Sequence, residues 1–184
     1  MELQQAITGR RSIRKYKSTP VTQEQLMLVL EAARQAPSWA NTQCCSYVVV
    51  TDSQIKNKLA ETLDLRNPSI DAVRTAPVVI VACAEIGKSG YYKGVPQTDK
   101  GDYWYMFDTG LALQNLTLAA FEMGLGTVHV GRFDAQKAAQ VMGVPTGVAV
   151  VELMPLGYPD EQPPPRPRKE LAGMVFYEKY GQTK

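Results

Sequence analysis

The segment Tyr103 to Met123 constrains the fold most. Met106, Leu111, Leu113, Leu116, Leu118, Ala119 and Phe121 leave it without a continuous polar face. A helix that is apolar nearly all round has to lie at the centre of a domain or in a subunit interface. Gly124-Leu125-Gly126 predicts where it stops, because glycine accepts the left-handed backbone that follows a helix C-terminus.

The remaining segments are shorter and alternate in type. Leu3, Ala6 and Ile7 have helical spacing, and Gly9 ends that helix. Thr22 with Gln25 forms a capping box before the stripe Leu26, Val29, Leu30 and Ala33, and Pro37 stops the helix. Tyr47 to Val50 and Val78 to Ala84 read as buried strands, the second being the most apolar of the chain. Between them, Asp52 or Ser53 caps a helix through Ile55, Leu59 and Leu63, and a short helix near Ser69 to Arg74 precedes Pro77. Thr127 to Gly131 and Gly147 to Met154 read as further strands, with a helix from Asp134 to Met142 between them. From Glu85 to Asp102 no period survives, so the segment reads as a long exposed loop. Gly157 to Arg168 is proline-rich and extended, and Leu171 to Tyr180 is weakly amphipathic. No linker or repeat divides residues 1–184, and 45% hydrophobic content supports one substantial core. One mixed three-layer domain with about four or five strands follows. The apolar helix, together with the tail residues Met174, Val175, Phe176, Tyr177 and Tyr180, favours an obligate dimer.

The polar chemistry lies in loops. Arg10-Arg11-Ser12-Ile13-Arg14 and the distant pair Arg166 and Arg168 offer guanidinium forks suited to phosphate oxygens, so one anion clamped from both sides is expected. Ser38, Asn41 and Gln43 can donate and accept hydrogen bonds along the edge of a heterocycle. Gly131, at a strand end, lets backbone approach a ligand closely. His129 is the sole histidine, with no carboxylate near it in sequence, which speaks against a triad or a zinc site. A contact through its backbone, with its side chain beside a cofactor, is the better expectation. A net charge of +2 argues against a nucleic-acid binder. The three cysteines have no metal-like spacing and read as reduced thiols. Met1 to Gln5 is polar and no apolar run approaches a membrane span, so a soluble cytoplasmic protein with no membrane partner is expected.

Taken in order, these segments resemble the nitroreductase family of flavoproteins. Arg10 to Arg14 and Ala36-Pro37-Ser38-Trp39-Ala40-Asn41-Thr42-Gln43 are similar to its two opening motifs. Asp108 to Ala120 is similar to its central helix. Gly124 to Thr127, Gly131-Arg132-Phe133-Asp134, Leu156-Gly157-Tyr158-Pro159 and the basic proline segment to Arg168 follow in the family's order.

The resemblance implies an α+β fold, a three-layer α/β/α domain with a mixed, mostly antiparallel sheet flanked by helices. It implies a homodimer with an exchanged C-terminal segment and FMN sites lined by both chains. Arg10, Ser12 and Arg14 would then hold the FMN phosphate and ribityl chain, with Arg168 and Arg166 reaching the phosphate and Arg11 sharing the role. Ser38, Asn41 and Gln43 would come from the partner subunit. His129, Val130 and Gly131 would present backbone to the flavin, and Asn67 is a further candidate near the ring. The implied activity is reduction of a nitroaromatic, quinone or similar small-molecule acceptor by NADH or NADPH in a ping-pong cycle. The flavin carries that chemistry, which accounts for a sequence without a nucleophile or an acid–base dyad. Alternatives are a specialised member acting on an enone, a halogenated aromatic or flavin itself, and a flavin-binding protein without turnover. Tyr91, Tyr92, Tyr103 and Trp104 either stack on an aromatic substrate or pack their own loop.

Overall fold

The computed structural model describes residues 2–183. Its centre is a four-stranded antiparallel sheet in the order β1-β2-β6-β5, formed by β1 (Cys45–Val50), β2 (Val78–Glu85), β5 (Gly126–Thr127) and β6 (Val148–Gly157). The parallel element of the expected mixed sheet is a single bridge, Ser12 to Thr127.

Alternation along β2 explains the three layers. Successive strand side chains point to opposite faces. Val79, Val81 and Cys83 enter a core with α3 (Ser53–Ala60), α4 (Ile70–Thr75) and α6 (Ala135–Met142). Val78, Ile80 and Ala82 enter a second core with α2 (Gln23–Arg34) and α5 (Gly101–Glu122). The strand is covered on both faces, which is why it reads as one continuous apolar run.

Local signals set the helix ends. Thr22 and Gln25 close the capping box of α2, Asp52 caps α3, and Asp134 caps α6. Helix α3 stops before Leu63, earlier than its apolar spacing predicts. The Thr62 hydroxyl takes the Leu59 carbonyl at 2.6 Å, and Leu63 leaves to pair with Phe133.

Three expectations need correction. The segment 85–102 is exposed along most of its length, as expected, but it is not irregular. It holds a hairpin, β3 (Tyr91–Tyr92) against β4 (Val95–Pro96), whose turn residues Lys93 and Gly94 both have positive φ, as a type I′ turn requires. Ser89 in the same segment is fully buried. The strand expected over 127–131 is only Gly126–Thr127, because the chain then bends and rejoins the sheet at one bridge, Val130 to Leu153. Strand β6 runs on to Gly157, where an added Cβ would lie 2.6 Å from Pro77 Cδ, so only glycine fits.

Helix α5 buries Ala112, Leu113, Leu116 and Ala120 in the second core, while Tyr103, Met106 and Phe107 stay exposed. No helix among the described residues is long and apolar enough to cross a membrane. Leu113 and Leu116 are fully buried. Substituting either with alanine is expected to cost about 2–5 kcal/mol, read as a lower urea midpoint with an unchanged slope.

Candidate cofactor site

The basic loop follows α1 (Leu3–Gly9) and runs in extended form against β5, with the Ile13 amide donating to the Thr127 carbonyl at 2.9 Å. Ile13 is buried, which turns its neighbours Ser12 and Arg14 away from the core. The C-terminal segment lies alongside. Lys17 N donates to Tyr158 O, and Asp160 N to Lys15 O, each at 2.9 Å. Glu161 Oε1 accepts from the backbone amides of Arg14 and Lys15. Beyond it the prolines carry Arg166 and Arg168 back toward α1.

A cavity of about 570 Å³ results, with Arg10, Arg11, Ser12 and Arg14 on one side and Arg166 and Arg168 on the other. Proline fixes its own φ, so the run Pro163 to Pro165 holds the second wall with little chain entropy to lose. Arg11 is committed elsewhere. Its Nη1 donates to the carbonyls of Thr8, Gly9 and Arg10 at 2.8–3.0 Å, where it caps the C-terminus of α1.

A short loop ties this cavity to the 129–131 segment. Arg14 Nε donates to Ser69 Oγ at 3.2 Å, and Asn67 Nδ2 donates to the Arg132 carbonyl at 2.9 Å. Asn67 Oδ1 in turn accepts from the Ser69 amide, and Arg132 pairs with Asp64 at 3.1 Å. Gly131 has open space where a side chain would stand. Val130 departs from its expected role, because it is buried and both its backbone groups are bonded to Leu153 at 3.1 Å. His129 gains a partner that its sequence neighbourhood does not show. A carboxylate does reach it: Glu152 Oε1 is 2.7 Å from Nδ1, while Thr117 Oγ1 is 3.2 Å from Nε2.

Ser38 and Gln43 line another cavity, of about 370 Å³, which shares no lining residue with the arginine cavity. Within one chain the two groups are therefore not brought together. The loop is strained, since Ala40, Asn41 and Gln43 all have positive φ (42°, 56° and 50°). Ser38 Oγ accepts from Gln43 N at 3.0 Å, and Asn41 N donates to Ser38 O. The anchor of this loop is Asp108, a buried carboxylate of α5 that sequence reasoning missed. It accepts from Trp39 N at 3.1 Å, from Ser89 Oγ at 2.6 Å and from Cys44 Sγ at 3.8 Å. Ser89 also meets Thr42 at 2.6 Å. Of the aromatic candidates, Tyr91 hydrogen-bonds Asp102 and Trp104 packs on Trp39 and Phe107, whereas Tyr92 and Tyr103 are exposed.

Fold and cavity together define a three-layer α+β domain with a cleft whose cationic walls come from the two ends of the chain. The sequence profile of the Nitroreductase family matches residues 7–158, and the chain belongs to that family. It is 33% identical over 180 residues to the NADPH-flavin oxidoreductase of Vibrio harveyi, covering 96% of this chain and 73% of that protein. It is 31% identical over 193 residues to the FMN reductase [NAD(P)H] of Bacillus subtilis, covering 97% and 74%. Among solved structures, the NADPH:FMN oxidoreductase of Vibrio harveyi complexed with NAD+ superposes with a TM-score of 0.84 at 32% identity, over 99% of this chain and 79% of that one. Nitroreductase A of Vibrio parahaemolyticus gives 0.85 at 33% identity, over 100% and 79%.

Proposed function

We propose that the chain is a cytoplasmic, homodimeric, FMN-dependent NAD(P)H oxidoreductase that reduces nitroaromatics, quinones or similar acceptors. The observation that carries this reading is the cavity where Arg10 and Arg14 face Arg166 and Arg168. Guanidinium donors suit a phosphate dianion, so the residues fit the phosphate end of FMN. When bound, FMN supplies the redox chemistry, taking electrons from NAD(P)H and giving them to an acceptor in alternating half-reactions.

The chain's own residues bind and orient. Arg10, Ser12, Arg14, Arg166 and Arg168 hold the phosphate and ribityl chain. The open backbone at Gly131 admits the ring, and Asn67 and Ser69 keep that segment aligned with Arg14. Ser38, Asn41 and Gln43 complete the ring's surroundings from a partner copy. Their separation from the arginine cavity within one chain supports that assignment. So do the exposed apolar side chains Tyr103, Met106 and Phe107 on α5 and Leu171 and Met174 in the tail, which a partner would cover.

The test is the visible absorption spectrum of the purified protein. A flavin band that anaerobic NADPH or NADH bleaches, and that a quinone or nitroaromatic restores, is the expected result. Protein that is colourless and takes up no added FMN overturns the reading. A band that neither nicotinamide bleaches leaves only a flavin carrier.

A further inference from the structure

Two adjacent cysteines stand where the Asp108-anchored loop enters β1. Cys44 Sγ and Cys45 Sγ are 3.9 Å apart. Cys44 also contacts the Asp108 carboxylate, and Cys45 lies 3.3 Å from Thr109 Oγ1. Both sulfurs thus sit among hydrogen-bonding groups. Cys83, by contrast, is packed in the apolar core on the other face of the sheet with Val79 and Val81, out of reach as a partner. Cys45 lines the 370 Å³ cavity and is only partly buried, whereas Cys44 is buried behind it, so a small solute reaches the pair from the Cys45 side.

We propose that Cys44 and Cys45 form a redox modification site, closing to a vicinal disulfide when a hydroperoxide enters this cavity. One thiol gives up its proton and its thiolate attacks the peroxide; the O–O bond breaks, the leaving oxygen takes the proton, and a sulfenic acid results with water from hydrogen peroxide or an alcohol from an organic hydroperoxide. The neighbouring thiol then displaces the sulfenic oxygen as water. Two electrons leave the two sulfurs, one S–S bond forms, and the hydroperoxide is reduced. The proposal does not rest on FMN binding.

The geometry makes the disulfide labile. Adjacent Cα atoms across a trans peptide are about 3.8 Å apart, below the roughly 4.4–6.8 Å common for disulfides. A strained bond of this kind is readily reduced, which suits a reversible modification. Closing the ring also withdraws the Cys44 thiol from Asp108, the carboxylate that fixes Trp39. In the reduced form the hydrogen bond from Cys45 lowers the Cys44 thiol to about 7, and in return Cys45 is pushed up.

The test treats FMN-saturated protein with hydrogen peroxide, alkylates it under denaturing conditions and maps the peptides by mass. The peptide holding Cys44 and Cys45 should be lighter by two hydrogens and unalkylated at both, so the titratable thiols fall from three to one. A thiol reductant should restore all three. Cys83→Ser should leave the new bond unchanged, and Cys45→Ser or Cys44→Ser should abolish it. Full alkylation of both cysteines after peroxide, a disulfide to another chain, or oxidation only to sulfinic acid would each overturn the proposal.

Discussion

Arg168→Ala is expected to weaken FMN binding about ten- to hundred-fold, the loss of one charged hydrogen bond of roughly 1.5–3 kcal/mol. Arg14→Ala should do the same from the opposite wall. Arg11→Ala is the internal contrast. Its guanidinium already serves three carbonyls at the end of α1, so its loss should leave FMN affinity nearly unchanged while loosening that helix end. Fluorescence titration of the stripped protein with FMN measures all three variants. Unchanged affinity in both Arg14→Ala and Arg168→Ala would rule out a clamp built from both walls.

Asp108→Ala is expected to cost about 1–3 kcal/mol of stability, because it strands the Trp39 amide as a donor without an acceptor and leaves the buried Ser89 hydroxyl with Thr42 as its remaining partner. The effect should reach the loop at 38–43. Left-handed backbone at a non-glycine residue costs of order 1–3 kcal/mol and persists only where the surroundings over-determine it. Ala40, Asn41 and Gln43 all hold such conformations, and the Asp108 bond to Trp39 ties the start of that loop to α5 alongside the loop's own bonds to Ser38. Asp108→Asn keeps an acceptor oxygen and should lose less. Urea unfolding gives the stability. Limited proteolysis near Ala40 should accelerate in the alanine variant, and equal cleavage rates would detach the loop from this anchor.

The elements were legible where a local rule acts alone. Thr22 with Gln25, Asp52 and Asp134 announce their helices because capping is decided within four residues. The arginines were legible because their forks have few structural uses outside anion contacts or helix ends. Arg11 shows that sequence does not say which of the two applies. What stayed hidden depends on distant chain. Glu152 reaches His129 from 23 residues away, and Cys44 meets Asp108 across 64. Both acids did carry a signal, since each is a carboxylate within an otherwise apolar stretch of its element. The hairpin at 91–96 was hidden because a two-residue strand has no period to detect.

The bonds between residues 15–17 and 158–161 join positions as far as 146 residues apart. Joining the ends of so long a loop has an entropic cost, and the fold has already met it through backbone contacts. An anion that settles between the two arginine groups therefore binds walls that the chain's own bonds hold together, and little of its binding energy is diverted into gathering the chain. The same bonds reverse the dependence: anything that peels the C-terminal segment away dismantles the cleft and strips Tyr158 from the edge of the second core, while the buried residues of both cores all lie at or before Leu156.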